Sequence, residues 1–322
     1  MTKSLSRKSI FNKTFQVGGN TLLSRILGLV RERLLMRFLG WEAASDAFSA
    51  AFLIPNSLRK MFAEGALTAA FVPTFVSVFR NDGKQEANRL TTLSAIFFEG
   101  IVLVLCVFAM WKPHAVLTLF YPGYAHDTRL ELAVPSLRIL MPFIFFISSS
   151  SLLAGALQSV HHFFVPSFAS VVLNIFFIGG LFGCLWMGYS HDQVGYLCWA
   201  IMAGGAAQFF MHIFMYRKLG FGFSWPTKQS YKAFYHVLKK FLPCFFSMSV
   251  MEINLIVDNM FASYQHVGTV TLIKYTFRLM GIPAGVFSTA FSTILLPHFS
   301  RVAMYAPRRL GFYLLEAAKF IF

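Results

Sequence analysis

Inside two stretches of the first 80 residues that are otherwise apolar enough to cross a bilayer, the sequence places Arg25, Arg31, Glu32, Arg59, Lys60 and Glu64. A charge at the centre of a membrane helix costs about 2.5–3.5 kcal/mol even on the scale set by insertion experiments. Residues of this kind face a wet cavity or pair with one another. The pattern predicts membrane helices with a polar interior and excludes an ordinary soluble domain.

Composition agrees with that reading. Of 322 residues, 57% are hydrophobic, 39 are Phe and only 13% are charged, where a soluble domain carries about a quarter. The expected fold class is an all-α polytopic membrane protein. A formal net charge of +15 does not signal nucleic acid, because Lys and Arg fall in short clusters between apolar runs rather than along one solvated face. Cys106, Cys184, Cys198 and Cys244 lie in apolar runs without CxxC spacing, which indicates packing rather than a zinc site or a disulfide framework. Lys3, Arg7, Lys8 and Lys13 precede the first helix without a small-residue cleavage site, so that helix is expected to be retained as a span.

Crossing about 30 Å of hydrocarbon takes about 20 residues of helix. Eight stretches qualify: 14–38, 45–78, 88–111, 131–157, 164–188, 194–216, 235–264 and 270–300. Their connections alternate in charge. Arg80, Lys84 and Arg89 follow the second span, His161 and His162 the fourth, Arg217 to Lys240 the sixth, and Arg301, Arg308 and Arg309 the eighth. The connections around Trp41 to Ser45, Pro113 to Thr128, Tyr189 to Gln193 and Gln265 to Gly268 are poor in Lys and Arg. The positive-inside rule puts the basic set, and with it the N-terminus, in the cytoplasm. After Arg309 an apolar run of about a dozen residues falls short of the hydrocarbon thickness, so the chain reads as ending within a ninth helix.

An internal repeat is visible. Gly40 precedes Pro55 by fifteen residues, Gly268 precedes Pro283 by fifteen, and each apolar run ends in a similar word, Phe71-Val72-Pro73-Thr74-Phe75 and Leu295-Leu296-Pro297-His298-Phe299. Six helices separate the copies, an even number, which makes the repeat parallel about an axis along the membrane normal.

The words of the first two spans are Ser24-Arg25-Ile26-Leu27-Gly28, Arg31-Glu32, Pro55-Asn56 to Arg59, Phe62-Ala63-Glu64-Gly65-Ala66 and Ala70-Phe71-Val72-Pro73. They resemble the MurJ (MviN) family of lipid II flippases, in the multidrug/oligosaccharidyl-lipid/polysaccharide exporter superfamily. Glu32 stands where that family usually has aspartate, which keeps the charge and lengthens the arm. The resemblance implies two six-helix lobes, here 1–220 and the start of a second, 221–322. It also implies substrate-binding roles for Arg25, Arg31, Arg59 and Arg278, with Glu32, Asp46 and Glu64 in support. Asp258 resembles the carboxylate of a sodium site found in some members. The implied substrate is lipid II, an undecaprenyl-diphosphate glycolipid, moved across the inner membrane by alternating access.

Local geometry adds its own expectations. Arg25 and Glu32, seven apart, share a helix face, while Arg31 points about 120° away from Arg25. Gly28 is a candidate hinge between them. Lys60 and Glu64 are spaced to pair along one helix, and Asp46 is placed to cap the second span. A guanidinium fork suits phosphate oxygens and stays charged. The sequence has no Walker loop, metal-ligand spacing or nucleophile with its base at motif distance. An enzyme acting on prenyl diphosphates is therefore disfavoured, and no cofactor is expected beyond dependence on membrane potential or a monovalent ion. Membrane lipids and cell-wall synthesis proteins are the remaining expected partners. The rival readings are another exporter of the same superfamily, for polysaccharide-linked lipids or for cationic drugs, of which a cation exporter would line its cavity with carboxylates, and a truncated non-transporting remnant.

Overall fold

A computed structural model describes residues 7–62, 66–188 and 194–281 together with Gly311 and Leu315, with side chains described from Lys13 onward and that of Phe62 excluded. Contacts divide the chain into two units, Met1–Thr271 and Leu272–Phe322. The first unit holds α1 (Arg7–Leu39), α2 (Ala43–Phe62), α3 (Thr68–Asn81), α4 (Gly83–Trp111), α5 (Pro113–Phe120), α6 (Thr128–Ser159), α7 (Phe164–Trp186), α8 (Val194–Lys218) and α9 (Lys228–Ala262). The described part of the second unit is helical over 272–281, continuing a stretch that begins at 269. Among the described residues there is no strand.

Five helices, α4, α6, α7, α8 and α9, are long and apolar enough to cross a membrane. They coincide with the third to seventh expected spans. Large apolar side chains such as Val104, Phe108, Phe182, Phe210 and Phe214 stay exposed along them, as lipid-facing surfaces require. Within the second expected span, 45–78, α2 is described as far as Phe62, Ala66 and Leu67 form a π turn, and α3 begins at Thr68. A wide turn of this kind interrupts the regular hydrogen-bond ladder, and Gly65 in the sequence lowers the helix propensity at that point. The connection 113–128 also holds more structure than its loop-like composition suggests, a short α5 and a 3-10 turn at Pro122–Tyr124.

α6 sits at the middle of the first unit, packed by α2, α4 and α8, while α1 lies on α7 and α9 lies on α3 and α4. Much of the core is aromatic. Phe98 meets Phe241 and Phe234 edge to face at centroid distances of 4.8 and 6.2 Å, which locks α4 to α9.

The two ends of the unit are built differently. At one end the connections carry the basic clusters and are strapped to neighbours by polar contacts. Lys13 donates to the carbonyl of His161 at 2.8 Å, Lys84 to that of Leu219 at 2.9 Å, and Asn88 accepts from Tyr216 and the Gly222 amide, both at 3.2 Å. At the other end the turn at Gly40, the connection 121–127 and the connection 263–268 meet. Gly40 and Gly268, the matching glycines of the repeat, both have positive φ, +60° and +92°, a conformation that favours glycine. Pro283 and Pro297 of the repeat lie outside the described residues.

Candidate functional site

The N-terminal helix carries two kinds of arginine. Asn20, Ser24, Gly28 and Arg31 fall three to four residues apart and form the stripe of α1 that faces α7. Asn20 donates to Ser167 at 2.7 Å. Further along, the Asn174 amide donates to the Ser24 carbonyl and hydroxyl, both at 3.1 Å, while its oxygen accepts from Arg31 at 2.9 Å. Arg31 also pairs with Glu32 at 2.9 Å and lies over the Phe177 ring, 5.0 Å from its centroid. Arg31 is thus turned into the α1–α7 seam. Helical periodicity anticipated its divergence from Arg25, and α1 passes through Gly28 as one continuous helix.

Arg25, on another face, is exposed and forms no ion pair among the described residues. It borders a pocket of about 300 Å³ lined by Val17, Thr21, Ser24, Gln158, Phe163 and Ser167, with Pro166 and Ser170 completing the wall. The Arg25 guanidinium and the Gln158 carboxamide supply donors to this wall, while the hydroxyls of Thr21 and Ser167 donate to the carbonyls of Val17 and Phe164. The pocket opens beside the α6–α7 connection, near the basic end of the unit.

In α2, Arg59 donates through Nε and Nη2 to the Asn56 carboxamide at 3.2 and 3.1 Å, one helical turn back. Lys60 reaches across to α9 and pairs with Glu252 at 2.9 Å. The described partner of Lys60 is therefore on another helix, whereas Glu64, expected to pair with it along α2, lies outside the described residues. Arg278 is an exposed residue on the helical stretch of the second unit. Asp258 is half-buried on α9, and among the described residues no group of three or more His, Cys, Asp or Glu side chains could hold a metal ion.

Asp46 departs from expectation. It lies within the first turn of α2 and is fully buried, but its carboxylate does not cap that helix. It accepts from the amides of Gly268 and Thr271 at 2.8 and 2.9 Å and from the Thr271 hydroxyl at 2.7 Å. The acidic group caps the helical stretch that starts at 269, in the manner of an N-cap supplied by a different helix.

Arg129, which sequence reasoning did not single out, completes this knot. It is 4% exposed, pairs with Asp127 at 2.6 Å and with Asp46 at 3.4 Å, and stacks on Tyr124 at 4.4 Å. Hydrogen bonding to Arg129 holds the Asp127 carboxyl below its ordinary value. Burial pushes the phenols of Tyr121 and Tyr124 up, so both stay neutral. At the basic end, burial and then Lys13 push His162 down. Only the run of small and turn-forming residues around Pro122-Gly123 hinted at the knot. Gly123 approaches the backbone of Ser263 and Tyr264 so closely that a Cβ there would overlap it.

The lipid II flippase MurJ family matches residues 35–310 of the chain. The chain belongs to the MurJ family. A MurJ relative, the lipid II flippase of Burkholderia cenocepacia, is 34% identical over 298 residues, covering 91% of this chain and 57% of that protein. A solved lipid II flippase MurJ in an inward closed conformation superposes with a TM-score of 0.73 at 28% identity, over 90% of this chain and 59% of the other. An outward-facing multidrug transporter of the MOP superfamily superposes at 0.59 with 15% identity, over 96% and 75%, a likeness of fold. The chain spans just over half the length of the curated MurJ relative it matches. It is a multi-pass membrane protein of a transporter family.

Proposed function

We propose that this MurJ-family chain takes part in moving lipid II across the inner membrane by alternating access, with Arg25 receiving the diphosphate. The observation that carries this reading is the Arg25 pocket: an exposed guanidinium, without an ion pair among the described residues, beside hydroxyls and a carboxamide. Such a wall matches the oxygens of a diphosphate and repels a cationic drug. Arg31, Arg59 and Arg278 are proposed to act with it, Glu32 and Glu64 to balance their charge, and Asp46 to hold the far end closed. In this reading the N-terminus and the basic connections face the cytoplasm, as the positive-inside rule favours, and the pocket is reached from the leaflet where the substrate is made. The lobe assignment, 1–220 and 221–322, and a sodium ligand at Asp258 belong to the same proposal, as do membrane potential or a monovalent ion as the driving force and cell-wall synthesis proteins as partners. Nothing in the proposal requires a bond in the substrate to be made or broken.

The test is binding and translocation of labelled lipid II by the protein reconstituted in proteoliposomes. Arg25→Ala lowers binding by about tenfold or more, the loss expected of a charged hydrogen-bonding group, while Arg25→Lys recovers part of it. The lipid is recovered chemically unchanged. Equal binding by wild type and Arg25→Ala rejects the assignment of the pocket, and recovery of a converted lipid rejects transport in favour of catalysis.

A further inference from the structure

Part of the polar lining of the Arg25 pocket is already engaged. Thr21 and Ser167 donate to main-chain carbonyls of their own helices, at 2.8 and 2.9 Å, and Ser24 accepts from Asn174 at 3.1 Å. The Gln158 carboxamide and the Ser170 hydroxyl have no hydrogen-bond partner among the described residues. Together with Arg25 they are what the pocket offers a ligand.

Gln158 is held in place by its main chain. It stands in the last turn of α6, where the amide of His161 donates to its carbonyl at 3.0 Å and that of His162 to the carbonyl of Leu157 at 2.9 Å. His161 has a positive φ of 63°, the left-handed conformation that closes a helix in this way. Lys13 of α1 donates to the His161 carbonyl, so the turn is tied from a second helix as well. A side chain on so fixed a backbone, with its own polar atoms unspent, can select a ligand without cost to the fold.

The rest of the wall is apolar, made by Val17, Phe163 and Pro166. A volume of about 300 Å³ is at the small end of ligand sites, about 300–1,000 Å³, and admits one sugar ring rather than a chain of them. The substituent that meets a carboxamide, a hydroxyl and an apolar surface together is an acylamino group. Its carbonyl accepts from the Gln158 amide, its N–H donates to the Ser170 oxygen, and its methyl lies against the apolar wall. A hydroxyl at the same position satisfies part of the polar set and leaves that wall bare.

We propose that Gln158 is the specificity-determining residue of the Arg25 pocket and reads an acylamino group on the sugar bonded directly to the diphosphate. The proposal rests on the diphosphate reading, because Arg25 is what brings that sugar beside Gln158.

Calorimetric titration of the protein in lipid nanodiscs tests it with two probes that differ at one substituent, farnesyl-diphospho-N-acetylglucosamine and farnesyl-diphospho-glucose. Wild type binds the acetamido probe about tenfold more tightly, as expected where a hydrogen bond is lost and its partner left unsatisfied. Gln158→Ala brings the ratio of affinities close to one, and Gln158→Leu, nearer in size, does the same with an unchanged melting temperature. Arg25→Ala weakens both probes alike and preserves the ratio. Equal affinity of wild type for the two probes, or a tenfold preference surviving in Gln158→Leu, overturns the proposal. If Arg25→Ala changes neither affinity while Gln158→Leu still abolishes the preference, the diphosphate reading fails and the sugar subsite stands. If wild type binds neither probe, both fail together.

Discussion

Asn174 of α7 holds Arg31 of α1 at 2.9 Å and at the same time donates to Ser24, two turns earlier on α1. One carboxamide therefore uses both its donor and its acceptor to fix the register of two helices against each other. Asn174→Ala leaves Arg31 and the Ser24 carbonyl without this partner and should cost about 1–3 kcal/mol. Thermal unfolding of the purified protein in detergent reads the loss. Asn174→Asp, which keeps an acceptor for Arg31, should recover part of it, and an unaltered melting temperature for Asn174→Ala would show that the seam does not depend on the contact.

The Lys60–Glu252 pair joins α2 to α9 at 2.9 Å, with both side chains largely shielded. A double-mutant cycle with Lys60→Ala and Glu252→Ala should give a coupling energy of about 0.5–3 kcal/mol. The exchange Lys60→Glu with Glu252→Lys should be closer to wild type than either single reversal. Strict additivity in unfolding measurements would mean that the pair contributes nothing.

Acid should loosen the end of the unit held by Arg129. Asp127, ordinarily at 3.8, is held lower in the folded protein by its hydrogen bond to Arg129. A carboxyl with a depressed folded-state value contributes stability that is present above its unfolded value and is lost as pH falls through the folded one. Wild type should therefore be more stable than Asp127→Asn at neutral pH, with the gap closing in acid. Melting curves of the two proteins recorded over descending pH check both the sign and the convergence.

Gly123 leaves no room for a side chain against the Ser263 and Tyr264 backbone. Gly123→Ala should destabilise by about 1–3 kcal/mol, the range for overpacking a filled site, and should weaken the hydrogen bond from the Gly123 amide to Ser263, now 2.9 Å. Faster amide exchange at Gly123 and a lower melting temperature are the measurements.

What could be read before the structure was whatever depends on sequence neighbours. Apolar run length located α4 and α6 to α9, and the alternation of basic and neutral connections anticipated which loops would gather at which end. The separate directions of Arg25 and Arg31 followed from their six-residue spacing on one helix. Contacts between distant helices were illegible. Lys60 has a plausible neighbour in Glu64, and nothing local points to Glu252, 192 residues away. Asp46 looks like a cap for the helix it stands on, yet its nearest partners belong to a later one. Asn174 and Arg129 carry no motif at all, because their importance comes from being buried where several backbones leave polar groups to satisfy.

Asp46 imposes an order on synthesis. The amides it accepts from lie 222 and 225 residues downstream, so they do not yet exist when its own helix leaves the ribosome. Arg129 emerges 83 residues after Asp46, and until the later amides follow, water must satisfy whatever Arg129 leaves of the carboxylate. Its place in the first turn of α2, beside the connection to α1, lets it wait in water instead of oil, and the nascent bundle can shut at that end only after Thr271 has arrived.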